Sequence, residues 1–336
     1  MAYYEPELTA TVNLCTKKGT LNPEAVGWSR RPLHYCNLKG RFPRKKRWNY
    51  WCITTEEFLF SVTLSDIDYL GLAFVYFLDF KTGYFHEMTV PRLFARGCKL
   101  PDNADGNMEF HDSKLSLSFI RTPMGVNIRV ESPKFDGQTL KADIDVRHPQ
   151  DHETLNVVIP WSQRQFQFTS KQNTLPTTGS ITLGDKVYNA QGGFACLDLG
   201  RGIWPYSSYW NWAGASGISG GHSIGLNFGA GWTDGTGMNE NGICIDGRLT
   251  KISEDVQFIY DNSDFMRPWT LKTESNLVDV IFTPFFHRTA KSDAKILRSE
   301  VHQMIGRFSG TVTDAHEQKY TFKDIVGWAE EHYARW

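Results

Sequence analysis

The chain has few of the features from which function is most often read. Its six cysteines (Cys15, Cys36, Cys52, Cys98, Cys196 and Cys244) are widely spread and form no CxxC pair, a spacing that argues against a zinc site. The opening Met-Ala-Tyr-Tyr-Glu-Pro-Glu lacks the basic-then-apolar pattern of a secretory signal, so a cytoplasmic protein with reduced thiols is expected. The longest apolar run, Leu70 to Phe80, is about half the length of a membrane-spanning helix and reads as a buried strand. No membrane span is expected. Charge of one sign is also missing: 36 basic and 37 acidic residues leave a formal charge of −1, which gives no electrostatic reason to expect nucleic acid. There is no activated thiol and no strand–Gly-loop–helix cradle for phosphate. The sequence implies no cofactor and no metal, and it carries no signal of oligomeric state.

What is present is aromatic. Phe, Trp and Tyr make up 14% of 336 residues, with 11 Trp, a composition that suits both strands and apolar pockets. Hydrophobic residues at 40% suffice for real cores, and the length suggests about two domains. Alternation of period two dominates. Leu115, Leu117 and Phe119 alternate with polar residues, as do Val126, Ile128 and Val130 after a Thr-Pro-Met-Gly turn. Leu140, Ala142, Ile144 and Val146 repeat the pattern, and Gly184-Asp185 makes a two-residue turn between strand-like runs. Helical signals are few; Ile325–Tyr333 reads as a short helix or a last strand. The run 169–180 is polar and turn-rich and reads as a boundary. It divides the chain into 1–172 and 173–336, each the size of a barrel.

Three constellations can carry chemistry. The densest runs from Gly192 to Ser216 and holds Asp198, Arg201, Trp204, Tyr206, Tyr209, Trp210, Asn211 and Trp212. On a strand Trp210 and Trp212 share one face and Asn211 takes the other. The residues read either as a barrel core with an Asp198–Arg201 ion pair, or as an aromatic pocket whose single acid is kept protonated by burial. Next, Gly225 to Gly242 carries Trp232, Asp234, Asn239 and Glu240 among glycines; a tight hairpin and a metal loop are the two readings. Third, Glu300 and His302 face the same side of a strand, toward either solvent or a barrel lumen, where they form an acid–imidazole pair. The ring- and charge-rich end, Trp328 to Trp336 with Glu330, either packs back over the second half or stands exposed. Arg41 to Arg47 reads as a basic solvated loop, and His287-Arg288 as the polar cap of a strand.

The segments Gly-Arg-Gly-Ile-Trp-Pro-Tyr followed by Trp210-Asn211-Trp212-Ala, Gly225 to Gly242, and the closing Gly-Trp-Ala-Glu-Glu-His-Tyr-Ala-Arg-Trp resemble a bacterial family of unknown function. That family is distantly similar to the carotenoid 1,2-hydratase (hydroxyneurosporene synthase) and AttH-like group. The resemblance implies an all-β fold of two lipocalin-like antiparallel barrels packed side by side, with few short helices and most of the site in the second barrel. In the hydratase-like pattern an aspartate precedes a Trp-x-Trp segment by about a dozen residues, and Asp198 stands so before Trp210 and Trp212.

The expected function is cofactor-free, proton-initiated hydration, cyclisation or isomerisation of a hydrophobic or polycyclic small molecule. Asp198 is the expected acid, with His302 and Glu300 as proton partners. Arg201 would orient the acid or bind an anionic group of the substrate, and Trp204, Tyr206, Trp210, Asn211, Trp212, Trp232, Asp234 and Glu330 would contact the substrate. Two alternatives stay open: a non-catalytic lipid or pigment carrier, and a carbohydrate-active protein binding a glycosidic small molecule. The latter would pair Asp198 with Asp234 or Glu330 across indole platforms.

Overall fold

The computed structural model describes residues 4–294 and 297–336. They form two lipocalin-like antiparallel barrels, each a sheet curled around its own core. Among the described residues there is no α-helix, only a short 3₁₀ turn at Pro23–Ala25.

The first sheet runs in the order Phe85–Leu93, Leu70–Asp79, Phe58–Asp66, Lys45–Thr54, Phe194–Ile203, Gln165–Leu183, Gln138–Arg147, Gly125–Phe135, Ser116–Thr122 and Met108–Phe110. The second runs Arg248–Lys251, Gly242–Ile245, His222–Ala230, Ser207–Ser219, Lys319–Arg335, Leu297–Thr313, Val278–Ala294, Trp269–Lys272 and Gln257–Ile259. The hairpin at Thr122/Gly125 and the Gly184-Asp185 turn lie where the sequence places them.

Strand composition follows from what covers each face. Gln138–Arg147 alternates buried and exposed because only one face meets a core. Phe58–Asp66 is buried at every position. Its Phe58, Phe60, Val62 and Leu64 fill the first barrel, and Leu59 points at the second. The first sheet's outer face meets the outer face of the second, with Tyr50, Cys52, Tyr76 and Cys196 packed on Trp212, Ile305 and Trp328. The two barrels therefore share a third, aromatic core between them. The same double coverage makes Lys319–Arg335 a seventeen-residue strand: Ile325 and Ala329 face the second barrel's interior and Trp328 faces the first barrel.

The polar run 169–180 lies inside the unbroken strand Gln165–Leu183. The chain passes from one sheet to the other between Ile203 and Ser207. Polarity at Thr169, Lys171 and Asn173 reflects a different cause: these side chains bind Asp198 and backbone carbonyls inside the inter-barrel contact. The basic run is only partly a loop, since Lys45–Thr54 is already strand and Lys46 is buried.

Candidate functional site

Two groups of side chains collect the candidates, one on each face of the second sheet. The first lies between the barrels. Lys171 Nζ sits 3.0 Å from both Asp198 Oδ1 and Glu240 Oε2, and 4.4 Å over the Trp212 ring. Asp198 also accepts from Thr169 Oγ1 at 3.3 Å, and Glu240 Oε1 from Trp232 Nε1 at 2.9 Å. One ammonium between two buried carboxylates holds its proton firmly, so Lys171 is raised above its ordinary range. Glu240, desolvated and facing Asp198, is raised as well. A Cβ on Gly229 would lie 2.1 Å from Glu240 Oε1, which explains the glycine there. The cavity beside this triad, lined in part by Lys171, Asn173 and Asn227, measures about 10 Å³, space for about one water.

Beside it runs a hydrogen-bonded network. Trp212, Glu330, Gln303 and Arg288 stand in one cross-strand row facing the first barrel. Glu330 accepts from Trp210 Nε1 at 3.1 Å and from Gln303 Nε2 at 3.0 Å. Gln303 Oε1 accepts from Tyr76 at 2.8 Å, and Tyr76 shares a 2.8 Å bond with Tyr50. Arg288 donates to Glu87 at 2.7 Å. Burial pushes Glu330 up to about 7 and the enclosed His332 down to about 3.

The second group lines the open end of the second barrel. Asn211, Glu331 and His302 occupy one cross-strand row, and Tyr209, Tyr333 and Glu300 the next. His302 thus stands directly opposite Glu331, on adjacent strands where facing Cβ atoms are about 5 Å apart. Its Nδ1 is 3.0 Å from His287 Nε2 and its Nε2 is 3.6 Å from Glu300 Oε1. Its ring stacks on Phe265 at 4.6 Å. Glu331 accepts a short hydrogen bond from Tyr260 and lies 3.2 Å from the Tyr209 hydroxyl, while Asn211 donates to Tyr260 at 3.0 Å. Burial and the carboxylate beside it push the Tyr260 phenol upward, so it stays protonated. Burial, with the neighbouring His302 imidazole, lowers His287. Arg298, Glu300, His302, Glu331 and Tyr333 line an open, shallow cleft of about 310 Å³, at the lower end of ligand-site volumes.

The residues picked from sequence are therefore divided. Trp210 and Trp212 do share a face and Asn211 takes the other. Asp198 faces the inter-barrel contact, whereas His302 and Glu300 face the second barrel's mouth, so the three do not meet. Arg201 points the opposite way from Asp198, into the first barrel, where it donates to the carbonyls of Pro101, Trp48 and Gly200 and to Asn49. Trp204 and Trp232 stack 5.5 Å apart in a cluster of indoles with the partly buried Trp48, Trp161, Trp210 and Trp336. Tyr206 lies half-exposed under Arg44. Asp234 caps an exposed turn in which Gly231, Gly235 and Gly237 all take positive φ, the tight-bend alternative rather than the metal loop. Among the described residues no three His, Cys, Asp or Glu side chains are placed to hold a metal.

Sequence reasoning missed Lys171, Glu331, Tyr260 and His287. Glu331 was within reach: in a strand, two adjacent carboxylates must point to opposite faces. His287 and Arg288 lie in mid-strand rather than at a cap, one at the cleft and the other between the barrels.

Fold and sites define a lipocalin-like protein of two barrels, with an ionic core between them and an open mouth in the second. The same architecture is found in an AttH candidate from Nitrosomonas europaea, with a TM-score of 0.54 at 13% identity over 87% of this chain and 93% of that one. It is also found in CghA crystallised with Sch210972, with a TM-score of 0.54 at 10% identity over 87% and 89%. No curated protein matches in sequence. The chain belongs to the family described as Domain of unknown function (DUF2804), whose profile matches residues 5–336.

Proposed function

We propose that the protein is a cofactor-free enzyme that moves protons on a small hydrophobic molecule bound in the mouth of the second barrel. The outcome of that transfer is hydration, cyclisation or isomerisation. The observation that carries this reading is the pairing of His302 with Glu331 across neighbouring strands in a cleft of about 310 Å³. A general acid and a general base held on one rigid wall can act on adjacent atoms of one substrate. In a hydration, Glu331 takes a proton from water as its oxygen bonds to one carbon of a polarised double bond, and His302 delivers a proton to the other. Glu331 then releases its proton to solvent and His302 regains one from solvent, directly or through His287, which restores both groups. Tyr260 and Tyr209 hold the carboxylate in place, and Asn211 donates to Tyr260. Asp198, paired with Lys171 where only a water fits, belongs to the frame that joins the barrels. The two-barrel relative CghA has been seen with the small molecule Sch210972, which supports a small-molecule ligand here.

A carrier would need the aromatics but neither the imidazole nor the carboxylate, so the pairing favours the enzyme. The test is incubation of the protein with a lipid and glycoside extract, followed by product mass. Turnover that is lost in both His302→Gln and Glu331→Gln but survives in Asp198→Asn supports the cleft. Turnover lost in Asp198→Asn alone moves the chemistry between the barrels, and ligand retention without any new mass makes the protein a carrier.

A further inference from the structure

The mouth of the second barrel is bordered by turns of the first. Arg44 Nη1 donates to the Trp336 carbonyl at 2.5 Å and its guanidinium lies 4.9 Å from the Tyr206 ring. Arg335 approaches the same ring at 5.9 Å and stands opposite Arg298 at the cleft. Three turns of the first barrel gather beside this edge. Lys46 Nζ donates to both the Pro43 and Ile67 carbonyls, at 3.3 and 3.2 Å, which holds the turns at 41–44 and 67–69 together. The Phe94 amide donates to the Tyr69 carbonyl at 2.9 Å, which adds the turn at 93–97.

These turns carry three large apolar side chains in solvent: Phe42 is 64% exposed, Leu93 71% and Phe94 63%. Around them stand Lys39, Arg41, Arg96 and Lys99, of which Lys39, Arg96 and Lys99 are exposed. Acidic groups nearby are largely engaged, Asp68 with Lys45 at 3.2 Å and Asp66 with Arg47. Asp102, which shares the surroundings of Cys15 with Arg41 and Lys39, offsets one charge. The chain as a whole carries −1, so the cationic excess is local. Protruding apolar side chains ringed by lysine and arginine match an anionic bilayer interface, where the former enter the headgroup region and the latter meet phosphate.

We propose that this end of the protein docks on an anionic lipid surface, through Phe42, Leu93 and Phe94 and the cations around them, and that the cleft draws its hydrophobic substrate from that surface. Only the second clause rests on the enzymatic reading of the cleft.

Co-sedimentation of the full chain with phosphatidylcholine vesicles, with and without about 30% phosphatidylglycerol, tests the docking. Binding to the anionic vesicles alone is expected, weakened about tenfold or more in Leu93→Ser/Phe94→Ser and in Lys39→Glu/Arg96→Glu. It should also weaken on raising salt to about 0.5 M. Ile218→Ser, at an equally exposed site (66%) at the far end of the Ser207–Ser219 strand, should bind as wild type. Equal binding to neutral and anionic vesicles, no binding to either, or an equal loss from Ile218→Ser overturns the proposal. Turnover of a detergent-free soluble substrate separates the two ideas. A protein that docks but is inactive refutes the cleft chemistry alone, and one that is active but does not dock refutes the surface alone.

Discussion

Replacing Glu330 by glutamine removes an ionisable group from the contact between the barrels while nearly keeping its shape. Its carboxyl is buried and pushed from an ordinary 4.5 up to about 7. Below 4.5 the group is neutral in folded and unfolded chains alike and has no effect on their balance. As pH rises the unfolded chain ionises first, so the contribution to stability present at low pH is lost until the folded group titrates near 7. The difference of about 2.5 pKa units corresponds to about 3 kcal/mol, with about 2.5 kcal/mol of it lost between pH 5 and pH 8. Glu330→Gln also disturbs the bond with Gln303, but that cost is the same at every pH. Urea unfolding of both proteins, followed by tryptophan fluorescence at pH 5, 6, 7 and 8, isolates the linkage. The stability of the variant relative to wild type should rise by about 2.5 kcal/mol across that range. A relative stability that stays constant, or that falls with pH, would refute the assignment of Glu330 as a buried carboxyl that folds neutral.

Lys171→Met strips the cation from Asp198 and Glu240 and should cost about 3–5 kcal/mol at neutral pH. The deficit should shrink on acidification as the stranded carboxylates take up protons, and thermal melts at pH 5 and 8 check both statements. Gly229→Ala drives a methyl to 2.1 Å from Glu240 Oε1 and should destabilise the fold by about 1–3 kcal/mol; a melt within error of wild type would contradict the close approach. All six thiols are buried, and burial pushes Cys36 and Cys196 up to about 12. An alkylating reagent at pH 8 should therefore label all six only in urea, as counted by intact mass.

Legibility in the sequence tracked how many faces of a strand meet water. Where one face does, as in Gln138–Arg147 and Gly125–Phe135, period two is plain and the hairpins follow. Where both faces are covered it vanishes: Ile325 to Glu330 is buried throughout, and a run without alternation is hard to tell from a helix. Polar residues misled for a related reason. Thr169 to Asn173 carries the charge and amides that a linker carries, but the solvent they meet is the other barrel. The link from Lys171 to Glu240 spans strands far apart in the chain, and no local pattern announces it. Within single strands the reading was sound, since Trp210 and Trp212 against Asn211, and Glu300 with His302, depend only on alternation.

The order of strands in the first sheet bears on how the chain is made. Phe194–Ile203 lies between Lys45–Thr54 and Gln165–Leu183, so the middle of the sheet is the last part of it to be synthesised. Until Ile203 has left the ribosome, Lys45–Thr54 presents an unpaired, aromatic-rich edge next to an otherwise paired run of strands. Such an edge is a template for pairing with another nascent chain. The outer face of those strands stays bare still longer, because its cover includes Trp328 near the opposite terminus. The nascent chain therefore passes through an aggregation-prone stage, and slowing elongation before residue 203 should lower its soluble yield more than slowing it afterwards.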